Sequence, residues 1–245
     1  MLLYKYRQFN NQSLQNLEQS TLWCSDLRSF NDPYEAQFVL EATQPGEFDD
    51  LYDHWRREFP DQTIYRKTIR FDAADVLRNA RNRYGVCCFS ELPDSVQMWG
   101  YYAASHGGFC LAFEFPESSD DTISQADLHK VKYRYGCATF PVTKFLRSTE
   151  VINKSMLKLV TTKHAHWKHE KEWRFINSKP NSPIKYQPST LKEVIIGAKA
   201  NPADTGKLRE LCSRNYPHVK VRQFMLMHGT YRLQLADEYE IPDIG

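Results

Sequence analysis

Trp167-Lys168-His169-Glu170-Lys171-Glu172-Trp173-Arg174-Phe175-Ile176 runs from a helix-like spacing into strict alternation, with two carboxylates at the junction. Side chains alternate across a strand with period two, so Trp173 and Phe175 are expected on one face and Glu172, Arg174 and Ile176 on the other. If the extended backbone reaches back to Glu170, that residue joins the second face. Two acids and an arginine then share one ledge backed by aromatic packing. Such a ledge can hold a carboxylate against a sugar hydroxyl. It can equally be a surface ion-pair ladder worth less than about 1 kcal/mol per pair.

Outward from this stretch, strands and helices alternate irregularly. Period-two or continuous apolar runs predict strands over 2–7, 21–24, 36–43, 84–90, 109–115, 131–135 and 191–197, and a terminal hairpin pairing 219–226 with 230–235. Helical spacing predicts segments over 13–19, 47–59, 72–83, 95–104, 146–162 and 205–215. There are more strands than a doubly wound fold needs. The pattern therefore predicts an α+β class, with a mixed, split β-sheet flanked by helices in a single domain spanning 1–245. Its core covers about residues 3–200, and 201–245 adds a C-terminal helix and β-hairpin.

The chain has 245 residues and is 41% hydrophobic, enough for a substantial core. With 32 basic and 30 acidic residues its net charge is +2, so no strong overall field announces a nucleic acid or a membrane surface. Met1 to Arg7 carries no signal-peptide pattern, and no apolar run approaches the roughly 18 residues of a spanning helix. A soluble, cytoplasmic protein is expected. The six cysteines show no C-x-x-C spacing, which points to free buried thiols in a reducing compartment. Walker and dinucleotide-fingerprint glycine patterns are missing.

Several local patterns could carry chemistry. Asn31-Asp32-Pro33 is a turn signal flanked by Phe30 and Tyr34. Trp99, Tyr102 and His106 recur at helical spacing, either as a core stripe or as a platform on which a flat ring stacks while His106 bonds to it. His164, His166, His169 and Glu170 crowd together, yet His-Glu-x-x-His fails at its last ligand, and no metal site is assigned. A Cys-His nucleophile from Cys87, Cys88 or Cys110 with His106 finds no support in spacing, because these strands read as buried. Arg78, Arg81 and Arg83 sit at the end of the helix predicted over 72–83, where they suit the helix dipole.

Taken in order, Leu3-Tyr4-Lys5-Tyr6-Arg7, Ser29 to Glu35, Cys88-Phe89-Ser90, Met98 to Ala103, His106-Gly107-Gly108-Phe109, Lys171-Glu172-Trp173-Arg174 and Val194 to Gly197 resemble the bacterial and phage domain of unknown function 2971 family. The chain is also distantly similar to ADP-ribosyltransferases of the Arg-Ser-Glu type, through Arg7, Ser90 and Glu170-Lys171-Glu172. That second resemblance implies an ADP-ribosyltransferase-like fold with NAD as a substrate. Arg7 would bind the pyrophosphate, Ser90 the nicotinamide ribose, and Glu172 with Glu170 would stabilise an oxocarbenium-like transition state as nicotinamide leaves. Tyr4, Asn31, Asp32, Trp99, Tyr102, His106 and Arg174 complete the expected cofactor-binding set. The Ser-Thr-Ser motif of those enzymes is here Phe89-Ser90-Glu91.

The expected activity is NAD-dependent ADP-ribosyl transfer to a protein or nucleic acid, or NAD glycohydrolysis, in a toxin or phage-defence effector. Two alternatives stand beside it: a nuclease or hydrolase using Asp32, Glu35, His106 and Glu172, and a non-catalytic sensor or interaction domain.

Overall fold

The computed structural model describes residues 1–41, 46–58, 60–61, 63, 82–120, 122–141 and 149–238. In chain order its elements are β1 (Leu3–Arg7), α1 (Asn11–Glu18), β2 (Thr21–Asp26), β3 (Phe38–Glu41), α2 (Glu47–Glu58), β4 (Gly85–Ser90), α3 (Val96–Tyr102) and β5 (Phe109–Phe113). They continue through β6 (Leu128–Lys130), β7 (Lys132–Arg134), β8 (Ala138–Pro141), α4 (Thr149–Val160) and β9 (Thr162–His164) to a 3-10 segment at Ala165–Glu170. Then follow β10 (Glu172–Asn177), β11 (Ser182–Lys185), β12 (Leu191–Ile196), α5 (Pro202–Asn215), β13 (Lys220–Leu226) and β14 (Leu233–Leu235).

The main sheet is mixed, with the order β11-β2-β4-β1-β5-β12-β13-β14 and with β10 pairing β4 and β6. β12 and β13 run parallel, while the other pairings in this sheet are antiparallel. Two partners share one edge of β4: β2 pairs at Val86 and Gly85, and β1 pairs at Ser90. They diverge between those points. Smaller parallel pairs join β3 to β8 and β7 to β9.

The faces of the sheet follow from register and alternation. Tyr4 and Glu172 both sit opposite Ser90, and Arg174 sits opposite Cys88, so these side chains share one face with Tyr6. Leu3, Arg7, Phe89 and Trp173 occupy the other. On that other face Leu3, Cys24, Cys87, Phe89 and Phe113 pack with Leu17 of α1 and with Leu208 and Cys212 of α5. The Tyr6 face is covered by Met98 and Trp99 of α3, and beside Val86 by Met156, Leu159 and Val160 of α4. The site described below opens on this face, among residues of β1, β2, β4 and α3.

The helix starts are locally specified. Asn10, Ser95 and Asn201 each accept a hydrogen bond from a backbone N–H three residues on, and Pro202 fits the first turn of α5, where its missing donor costs nothing. The helix expected over 146–162 ends at Val160, because Thr161 and Thr162 donate their hydroxyls to the carbonyls of Leu157 and Lys158. Thr162–His164 then becomes a strand. The strand expected over 36–43 begins only at Phe38, after a turn in which Ala36 takes φ 55°. The helix expected over 72–83, with Arg78 and Arg81, lies outside the described residues apart from its last two positions.

The cysteines are free; Cys24, Cys87, Cys110 and Cys212 are buried, but Cys137 is exposed, against expectation, at the mouth of β8. Among the described residues no helix is long and apolar enough to cross a membrane.

Candidate functional site

Where β1 and β2 diverge along β4, a cavity of about 320 Å³ opens, lined by Tyr4, Tyr6, Ser25, Phe30, Asn31, Cys88, Tyr101 and Tyr102, with Lys163, Glu170 and Glu172 in its wall. The acidic wall is one end of a buried chain of alternating charge. Arg174 is fully buried; its Nη1 and Nη2 donate to the two carboxylate oxygens of Glu35 at 2.7 and 3.1 Å. Its Nε and Nη2 donate to the two oxygens of Glu172 at 2.8 and 3.0 Å. Lys163 donates to Glu172 Oε2 at 3.1 Å and to Glu170 Oε2. Glu170 Oε1 accepts the Tyr102 hydroxyl at 2.6 Å, and Asn31 Nδ2 donates to that same hydroxyl at 3.1 Å.

The local backbone explains how the two acids meet. The 3-10 segment closes on Lys171, which adopts the left-handed conformation at φ 47°. The extended backbone therefore does not reach back to Glu170, and the condition on which that residue would join the ledge as part of the strand is not met. Glu170 reaches Glu172 instead through the Lys163 ammonium that both carboxylates share. Ser90 fastens the turn from beneath, donating to the Glu170 carbonyl at 2.6 Å while accepting from the Leu92 N–H at 3.1 Å. Tyr133 of β7 accepts the Glu172 backbone N–H at 2.8 Å.

This environment drives the carboxyls apart. Burial raises Glu170, and the Glu172 charge adds to that against the pull of Lys163. Glu172 also suffers burial, but the Arg174 and Lys163 charges outweigh it and hold the carboxyl down to about 2. Burial raises the Tyr102 hydroxyl, reinforced by the Glu170 charge. Lys163 is raised by Glu172 and Glu170 against its burial. The two carboxyls are thus shifted in opposite directions, Glu170 up and Glu172 down, the kind of separation that divides acid from base roles in carboxylate enzymes.

Residues 98–175 match the DUF2971 family, whose description is a protein of unknown function. The match runs from α3 to β10, with Tyr102, Lys163, Glu170, Glu172 and Arg174 inside it. No curated protein and no solved structure matches the chain.

Of the residues expected at the site, Tyr4, Asn31, Tyr102, Glu170 and Glu172 converge on the cavity, and Arg174 lies directly behind Glu172. Five others are elsewhere. Arg7 pairs with Phe109, one position beyond the pairing of Tyr6 with Cys110, so alternation turns it to the opposite face of the sheet. Trp99 is fully buried between Tyr6 and Phe224, with its indole N–H on the Pro93 carbonyl, so it is core rather than a stacking platform. His106 follows the end of α3, stacks on Trp99 and is not in the cavity wall. Asp32 is buried and caps the Tyr34 N–H, facing a neighbouring groove. Ser90 is completely buried and serves the turn.

Lys163 is the site residue that the sequence reading did not single out. Nothing in its spacing marks it. It is placed by the parallel β7–β9 pair, where it sits opposite Tyr133, and both side chains reach Glu172. Among the described residues no three His, Cys, Asp or Glu side chains form a metal-ligating group.

Proposed function

We propose that the cavity is an active site for cleaving an N-glycosidic bond, with NAD as the substrate, releasing nicotinamide and passing ADP-ribose to an acceptor or to water. The observation that carries the reading is the pair Glu170 and Glu172, both bonded to one ammonium yet shifted in opposite directions on the wall of an aromatic cavity.

The bond between the ribose C1′ and the pyridinium nitrogen breaks with its electron pair going to nitrogen, which turns a cationic ring into neutral nicotinamide. Tyr4, Tyr6, Phe30 and Tyr102 supply faces and edges suited to that cationic ring. The ionised Glu172 stabilises the positive charge that develops on the sugar. Glu170, whose carboxyl is raised by burial, accepts the proton of the attacking hydroxyl as it adds to C1′. Arg7 has no part in this, being on the other face of the sheet. The cavity volume of about 320 Å³ is at the small end of ligand pockets, which suits the nicotinamide-ribosyl half, with the remainder of NAD leaving through the mouth. An enzyme spending NAD in this way would act as a toxin or defence effector.

The experiment is incubation of the purified protein with NAD while released nicotinamide is followed by chromatography. Release is expected, and it is lost in Glu170→Gln while the thermal midpoint stays within a few degrees of the parent. No release by the parent, or undiminished release by folded Glu170→Gln, overturns the proposal.

A second reading, a ligand-binding domain without catalysis, is favoured by one observation: both oxygens of Glu172 are already bonded to Arg174 and Lys163. It predicts thermal stabilisation by a ligand without turnover.

A further inference from the structure

A second groove, about 540 Å³, shares Lys163 with the carboxylate cavity. Its walls carry Tyr34 and Tyr135, exposed to 74% and 84%, with His164, His166 and Trp167 between them. Both tyrosine rings are open to solvent, so their faces are free to stack. Arg134 occupies the β7 position opposite His164 of β9, which places it on the same face of that two-stranded pair. The Asp32 carboxyl reaches the groove, but it is buried and its Oδ1 accepts the Tyr34 N–H. Aromatic rings and imidazoles, with Arg134 beside them, thus share this groove with the uncharged Pro33, Gln37, Cys137, Ala138 and Thr162.

We infer that this groove binds single-stranded nucleic acid, with bases stacked on Tyr34 and Tyr135 and the phosphate backbone held by Arg134 and His166. Every base presents a π-face, and the backbone is uniformly anionic, so aromatic side chains interleaved with cations recognise a single strand without reading its sequence. A duplex hides its base faces and loses that half of the interaction.

The two sites adjoin. The Lys163 ammonium lies over the Trp167 ring at 4.9 Å, and the same ring meets Tyr101 of the carboxylate cavity with centroids 6.3 Å apart. Trp167 is thus the one side chain standing between a strand in the groove and the residues that break the glycosidic bond. The groove thereby names the acceptor class of the reaction proposed above and rests on that reading for the acceptor role alone. The binding test contains no NAD, so either can fail without the other.

The test is fluorescence anisotropy of labelled oligouridylate and oligothymidylate of about twelve nucleotides, long enough for one binding site, against the full chain. Binding of either single strand in preference to a duplex, weakening as salt rises, is expected. Tyr135→Ala and Arg134→Glu should each weaken binding about tenfold, whereas Tyr231→Ala, at an exposed tyrosine outside the groove, leaves it unchanged. The exposed thiol of Cys137 lines the groove, so bound oligonucleotide should slow its alkylation. No binding at low salt, equal binding of duplex, or binding indifferent to both substitutions with Cys137 alkylated at the free rate overturns the inference. Thermal melts of the two variants confirm that a loss of binding is not a loss of fold.

Discussion

At the scale of single residues, the account turns on Glu172 and Glu170. Removing one member of a buried ion pair leaves its partner's charge uncompensated, so Glu172→Gln should cost about 3 kcal/mol in denaturant unfolding at neutral pH. Arg174 keeps Glu35 and Lys163 keeps Glu170, which holds the loss at the lower end for buried pairs. The folded-state value of Glu172 lies below the ordinary one. Its stabilisation is therefore complete above about pH 4.5 and is lost as pH falls through about 2. The stability gap between parent and Glu172→Gln should shrink across that interval; a gap that stays constant would contradict the assignment. Tyr102→Phe removes the hydroxyl that binds Glu170 and should cost about 1 kcal/mol, with nicotinamide release falling more steeply than stability.

At the scale of elements, the decisive feature is the junction between the 3-10 segment and β10. Lys171 holds a left-handed backbone at φ 47°, which costs an L-residue about 1 kcal/mol or more. Lys171→Gly is accordingly expected to raise the thermal midpoint or leave it unchanged, and Lys171→Val to lower it; a fall with glycine would show that the Lys171 side chain matters more than its backbone. The alternation of Glu172, Trp173, Arg174 and Phe175 was legible in the sequence because period two is a local property. So was the Ser95 cap, which needs only three residues of chain.

The partners of those residues were not legible. That Arg7 turns away from Glu172 depends on which residue of β5 it pairs with, and pairing between strands a hundred residues apart leaves no local trace. Lys163 enters the site through a three-residue strand at the end of a helix, where helical spacing runs on without a break. The Trp99 stripe offered two readings, and packing against Tyr6 and Phe224 selected the core.

At the scale of the whole molecule, the cavity exists because β1 and β2 share one edge of β4 and part between Val86 and Ser90. The turn from α3 into β5 is pressed against that arrangement. Side chains added at Gly108 and Gly197 would meet the carbonyl oxygens of Arg7 and His106, each at 2.2 Å. Backbone cannot yield there without moving β1 or β12. Gly197→Ala should therefore destabilise by about 3 kcal/mol, measured by urea unfolding, although it touches no site residue. Arg7→Ala makes the complementary test of topology. With its side chain on the α1 and α5 face, its loss should leave the rate of nicotinamide release within about twofold of the parent, well below the effect expected of a phosphate-binding arginine.

The most direct test of the central claim is a carbon-13 NMR titration of the side-chain carboxyls of Glu170 and Glu172, assigned through Glu170→Gln and Glu172→Gln. The account predicts two separated transitions, with Glu172 titrating at about 2 and Glu170 raised above its own ordinary value. Two carboxyls titrating together near the unperturbed value of about 4 would contradict it.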